Sequence, residues 1–218
     1  MTSAPAPDPE SLRVFVGEVF HALSQPLTAL QCSLELSLQR DQTVEELRAS
    51  LETALELAGR LRQQLSLVRA LNDATDPGDL SWPTDLSELL LQLREDMRPL
   101  FESAAKTFSL KLDAQPLLVR ADKAKLMRGL FCFLEHLFRH LPPSAVLAVG
   151  VNVSGRQARI NIHAASCLPV SPCQTTGDSP YSCEIELARR TFLATGGEFA
   201  FVSSNGEQNL WQASVPLA

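Results

Sequence analysis

The segment Phe20-His21-Ala22-Leu23-Ser24-Gln25-Pro26-Leu27-Thr28 sets one histidine in a leucine-rich run. An exposed imidazole, titrating at about 6.5, is largely neutral at cellular pH and can attack a phosphoryl group to give a phosphoramidate. That product is suited to passing phosphate on. Gln25, Thr28 and Cys32 follow His21 at four, seven and eleven residues, so on a helix all four side chains share one strip. Pro26 removes a backbone donor and leaves the Ala22 carbonyl without its helical partner, which predicts a kink one turn from the histidine. An isolated histidine on a helix is ordinarily a surface residue, and it is the surrounding pattern that gives this one chemical interest.

The elements that must position the strip are legible in the apolar spacing. Val16, Phe20, Leu23, Leu27, Leu30 and Leu34 recur at steps of four and three, predicting one helix from about Ser11 to Arg40. His21 lies roughly 140° from the centre of that stripe and should face solvent. After a turn at Asp41-Gln42-Thr43, Leu47, Leu51, Ala54, Ala58, Leu61, Leu65 and Val68 repeat the rhythm, and Thr43 with Glu46 has the form of a capping box. Val68 and Arg69 return the second helix to the His21 end of this antiparallel hairpin. Two helices cannot enclose two such stripes, whereas two hairpins make a four-helix bundle, so homodimerisation is expected.

Turn formers over Asn72–Asp79 end the second helix. The reading divides the chain into a disordered tail (1–10), the helical hairpin (11–72), a linker (73–81) and a second domain (82–218). In that domain Asp85 can cap a helix to about Lys106, followed by strands at Phe108–Leu112 and Leu117–Arg120 and a helix over Asp122–His140. A hairpin around Ser154-Gly155, a helix over Glu184–Thr195 and a last hairpin around Asn205-Gly206 complete an α+β chain.

FHALSQPLTAL resembles the phospho-acceptor motif of histidine kinases, in the version where Gln-Pro-Leu-Thr follows the histidine. The second domain resembles the same family's ATP-binding domain over nearly all of residues 82–217, in its order of elements and in its ending GGEFAFVSSNGEQNLWQASVPL. The resemblance implies a dimeric four-helix bundle followed by a histidine-kinase-ATPase-like α/β sandwich. It also implies nucleotide contacts that this sequence lacks. The helix that presents a magnesium-binding asparagine has His136 there. The adenine-binding aspartate and its Gly-x-Gly turn are replaced by Ala164-Ala165-Ser166-Cys167-Leu168. The glycines that approach the phosphates give way to Ser182-Cys183-Glu184, where the Glu184 carboxylate repels phosphate. The segment from Cys167 to Tyr181 is short for a nucleotide lid and stiffened by Pro169, Pro172 and Pro180. Active relatives also carry an acidic residue after the histidine, where this chain has Ala22. General-base assistance is typically worth about 10²- to 10⁴-fold, so self-phosphorylation from ATP should be poor.

Bulk properties narrow the partners. A net charge of −6 without a Lys/Arg run argues against nucleic acid. Charged residues interrupt every apolar stretch, so no membrane span is expected, and the acidic, proline-bearing N-terminus lacks the features of a secretory signal. A cytoplasmic location is expected. Five cysteines without a Cys-x-x-Cys pair fit neither disulfides nor zinc and read as buried thiols. His136 and His140 share a helix turn without an evident further ligand, so no metal or other cofactor is expected. The reading that results is a histidine phosphotransferase of a two-component phosphorelay. It exchanges phosphate on His21 with response-regulator receiver domains that dock on Gln25, Thr28, Cys32, Val68 and Arg69, without binding ATP. The alternatives are a non-enzymatic pseudokinase that scaffolds or inhibits, and an active sensor kinase with a divergent ATP site.

Overall fold

Apolar residues at helical spacing fold the N-terminal part into α1 (Pro9–Gln39), which runs through Pro26, and α2 (Val44–Asp73). The computed structural model describes residues 9–39, 43–113, 116–165, 182–204 and 208–218. The expected turns at Asp41-Gln42 and Asn205-Gly206, the tail through residue 8 and the 166–181 segment lie outside them. The capping box forms as expected: the Glu46 N–H donates to Thr43 Oγ1 at 3.2 Å and the Thr43 N–H to Glu46 Oε2 at 2.9 Å. The Thr43 N–H foremost, and then the Thr43 hydroxyl, donate to the Glu46 carboxylate and hold it below its ordinary value. The hydroxyls of Ser37 and Ser50 bond across the hairpin and fix how its helices pair. The two helices cover little of their own stripes. Val16, Phe20, Leu27 and Leu34 of α1 and Leu47, Leu51 and Leu65 of α2 are exposed, and Phe20 is 66% accessible. Cys32 is exposed too, and Cys132 and Cys183 are only partly covered, which corrects the expectation of buried thiols. Cys32 lies on the strip facing away from the stripe, where no core could have covered it.

The chain divides into two units, Met1–Ala70 and Leu71–Ala218. The second runs β1 (Thr84–Asp85), α3 (Leu86–Ser103), β2 (Thr107–Leu112), β3 (Leu118–Val119), α4 (Lys123–His140), β4 (Val146–Ser154), β5 (Gln157–Ala165), α5 (Cys183–Ala194), β6 (Glu198–Ser204) and β7 (Gln208–Pro216). This is the expected order, with β1 in addition. That two-residue strand pairs with β3 and is too short for any alternation to betray it. The main sheet has the order β2-β4-β5-β7-β6. Its β2–β4 pair is parallel, as the intervening α4 crossover requires, and its other pairs are antiparallel. One face is apolar: Leu147, Val149 and Val151 of β4, Ile160 and Ile162 of β5, and Ala213 and Val215 of β7 bury against Leu89, Leu93 and Met97 of α3, Leu126, Leu130 and Phe133 of α4, and Phe192 of α5. The antiparallel strands alternate, apolar inward and polar outward, because only this face is covered.

Helix ends in this unit are specified by particular side chains. Asp85 accepts from the Ser87 and Glu88 N–H groups and caps α3, and Asp122 accepts from the Ala124 and Lys125 N–H groups and caps α4. Burial pushes the Asp122 carboxyl up, but the N–H groups of Lys125, Asp79 and Ala124 outweigh it and hold the group low. The Asp79 N–H reaches Asp122 Oδ2 at 3.0 Å, and Lys125 Nζ donates to the carbonyls of Asp73 and Asp76 at 2.9 and 2.8 Å. The turn-rich stretch after α2 is therefore fastened to the start of α4. Leu71 and Ala74, at 3% and 4% exposure, are part of the packed second unit.

At the C-terminus of α3 the Lys106 N–H bonds the Phe101 carbonyl and the Ala105 N–H that of Glu102, the two bonds of a Schellman cap. The left-handed residue in that motif is ordinarily glycine, but here it is Ala105 at φ 52°. The corresponding cap of α5 uses Gly196 at φ 79°. Ala105→Gly should therefore raise stability by about 0.5–1 kcal/mol, since relief of the Cβ clash outweighs the extra freedom glycine gives the unfolded chain. Equilibrium denaturation in urea would register this as a higher midpoint at unchanged slope.

Candidate functional site

His21, Gln25, Thr28 and Cys32 are all exposed on one strip of α1, as their spacing requires. His21 and Gln25 are joined, with Gln25 Nε2 2.9 Å from His21 Nε2. Counting equally along both helices from the Ser37–Ser50 pair brings His21 level with Ser66. Val68, half-buried, and Arg69, exposed, lie within about three residues of that level, or roughly 5 Å along the axis. The hairpin thus brings Val68 and Arg69 to the level of His21, while Cys32 stands about 16 Å further along the strip. Ala22 is partly covered, and its methyl group has no capacity to take up a proton.

The residues standing where nucleotide contacts were expected fall in two places. Ala164 is 3% exposed on β5, between Leu147 of β4 and Asn209 of β7. Ser166 and Leu168 lie outside the described residues. His136 and Glu184 meet where α4 and α5 pack together. Gly129 permits that approach, because a Cβ there would stand 2.8 Å from Thr191 Oγ1. Glu184 Oε2 lies 3.8 Å from His136 Nδ1, and Glu184 Oε1 lies 3.8 Å from Arg139 Nη1. At that length neither contact is a hydrogen bond; the Arg139 one is a Coulombic attraction, and the His136 one becomes so when the ring is protonated. Arg139 also bonds Glu135 at 2.9 Å, and the His140 and His136 rings stand 4.5 Å apart. Cys132 sits in the same neighbourhood. Its thiol is pushed up to about 11, first by burial and then by the charges of Glu135 and Glu184. It is poorly disposed to act as a nucleophile or metal ligand.

An anionic side chain in the first turn of α5 suits that helix's dipole, and it takes the place a phosphate could take there. The Glu184 contact to Arg139 joins residues 45 positions apart and has no sequence signal. Glu186 with Arg189 and Arg190 is legible, because spacings of three and four set them on one helix face. Glu186 bonds Arg189 Nε at 2.6 Å and Arg190 Nε at 2.7 Å. Burial pushes the Glu186 carboxyl up, yet the two arginines prevail and hold it below its ordinary value. Both anions at the head of α5 are therefore engaged by cations of the chain itself. Among the described residues, no group of three or more His, Cys, Asp or Glu side chains is arranged to hold a metal ion. No helix among them is long and apolar enough to cross a membrane.

No protein-family model matches the chain, and no curated protein matches it. Solved structures do. The chain superposes on the histidine kinase AdeS of Acinetobacter baumannii with a TM-score of 0.69 at 15% identity, covering 90% of this chain and 98% of that one. The histidine kinase ThkA, solved in complex with the response regulator protein TrrA, gives a TM-score of 0.73 at 13% identity over 96% of this chain and 64% of that one. Full-length ShkA in complex with AMPPNP gives 0.63 at 15% identity over 93% of this chain and 46% of that one. The chain has the fold of a histidine kinase core, a helical hairpin followed by the ATPase-like α+β unit.

Proposed function

We propose that this chain is a histidine phosphotransferase of a two-component phosphorelay, accepting phosphate on His21 from one receiver domain and passing it to another without binding ATP. The observation that carries the reading is an exposed His21 on the hairpin of a kinase-core fold, in a chain whose Glu184 stands at the head of α5 beside His136 and Arg139 of α4. The exposed strip favours approach by a large partner, and the ThkA complex supplies the precedent of a response regulator bound to this fold. The stripe left open on both hairpin helices supports a homodimer, in which a second hairpin would cover it.

Loss of nucleotide binding follows from charge and from a missing acceptor. A polyphosphate would have to displace the Glu184 carboxylate from Arg139, and Ala164 offers the adenine amino group no acceptor. Calorimetric titration with ATP and magnesium should therefore show no binding up to millimolar nucleotide, while receiver domains charged with acetyl phosphate should label the chain. Micromolar binding of ATP would instead establish the sensor-kinase reading. Receiver binding without label would establish the scaffold reading, with His21 serving only as part of the contact surface.

A further inference from the structure

The 2.9 Å contact between Gln25 Nε2 and His21 Nε2 has a direction. An amide N–H can only donate, so the ring nitrogen must accept, and a neutral imidazole that accepts at Nε2 carries its proton on Nδ1. We propose that Gln25 is a positioning residue for His21. It holds the resting imidazole as the Nδ1–H tautomer with the Nε2 lone pair accepting its N–H, and then passes that N–H from Nε2 to an oxygen of the incoming phosphoryl group, which frees the lone pair to attack.

This deepens the reading of His21 as the phosphoryl acceptor and rests on it. Three observations favour it. Both side chains are exposed, so packing does not orient the ring. Position 22 is alanine, so the residue next to His21 offers no carboxylate to accept from Nδ1–H. The four-residue spacing keeps the Gln25 amide over the ring as the side chains move, because both stand on one rigid helix. Without Gln25 the ring would relax toward the Nε2–H form that histidine side chains favour in water.

Potassium phosphoramidate tests the step without a receiver. The Nε2 lone pair attacks phosphorus, the N–P bond to His21 forms, and the donor's P–N bond breaks with its electron pair leaving on ammonia. The Nδ1 proton passes through water to that ammonia, which departs as ammonium. On the full chain at mildly alkaline pH, long-range ¹⁵N–¹H NMR should show His21 predominantly as the Nδ1–H form. Gln25→Ala should shift the tautomer ratio about fivefold toward Nε2–H, the order expected of one exposed hydrogen bond. Gln25→Glu should reverse it, since a carboxylate accepts where the amide donates. Labelling of His21, followed by peptide mass spectrometry with His21→Ala as blank, should slow about fivefold in Gln25→Ala through loss of the donor to the phosphoryl oxygen.

An Nε2–H wild type, or a tautomer ratio or labelling rate unchanged in Gln25→Ala, overturns the proposal. If the tautomer behaves as described but the wild type is labelled by neither phosphoramidate nor any charged receiver, the phosphotransfer reading fails and the tautomer assignment survives.

Discussion

His21→Ala should reduce phosphoryl acceptance from charged receiver domains to background, a fall on the order of 10³-fold or more, because no other group on its strip can take the nucleophile's part. The neighbours on the strip are an amide, a hydroxyl and a thiol. None of them is an imidazole, whose ring nitrogen can form a phosphoramidate. The substitution should leave the helix intact: position 21 is exposed, and alanine is the best helix former. Receiver binding should therefore persist nearly unchanged, supported by Gln25, Thr28, Cys32, Val68 and Arg69. Gel-shift detection of phosphohistidine gives the first quantity and calorimetry with an uncharged receiver gives the second. Loss of label with binding retained excludes a scaffold-only role, and phosphate flow that survives the substitution excludes the relay.

How much of this could be read before the fold was known depends on the range of the interaction involved. Helical periodicity acts over three or four residues, so both hairpin helices, the Thr43–Glu46 box and the exposure of His21 were legible. So was the α3 cap, because an aspartate ahead of an apolar run has few other uses. Interactions that depend on tertiary closure were less legible. Asn72 to Asp79 looked like a free linker because its composition is that of turns, yet Lys125 and Asp122, some fifty positions on, fasten it down. The left-handed Ala105 was hidden because the rule for such caps looks for glycine. Glu184 could be recognised as hostile to phosphate from its charge alone. That it is drawn toward His136 and Arg139 needed α4 and α5 to be packed, and that packing depends on Gly129. Glu184, His136 and Arg139 thus form one local arrangement where α4 packs on α5, apart from Ala164 on β5.

The pair Gly196-Gly197 after α5 separates two reasons for glycine and yields the largest expected effect on folding. Gly196 has φ 79°, but a Cβ there would meet nothing nearer than Pro216 Cγ at 3.8 Å. Gly196→Ala should therefore cost only the left-handed backbone penalty, about 1 kcal/mol. Gly197 carries no such strain, yet a Cβ there would stand 1.8 Å from the Ser214 carbonyl oxygen and 3.3 Å from the Phe192 carbonyl oxygen. Neither neighbour can yield. Ser214 pairs with Glu198 in the β6–β7 ladder and its hydroxyl accepts the Glu198 N–H at 3.1 Å, while the Phe192 carbonyl accepts the Gly197 N–H at 3.0 Å. Moving β6 away would also part Phe199 from Phe192, Phe133 and Trp211, whose ring centroids lie 5.0–5.7 Å from its own. A clash bounded by backbone on two sides belongs to the severe end of overpacking, so Gly197→Ala should cost about 3 kcal/mol or more, enough to unfold a marginal domain. Thermal denaturation followed by the near-ultraviolet signal of Trp211 measures both variants. A Gly197→Ala loss no larger than that of Gly196→Ala would mean that the β6–β7 edge yields, and that the aromatic cluster rather than the backbone contact holds α5 in place.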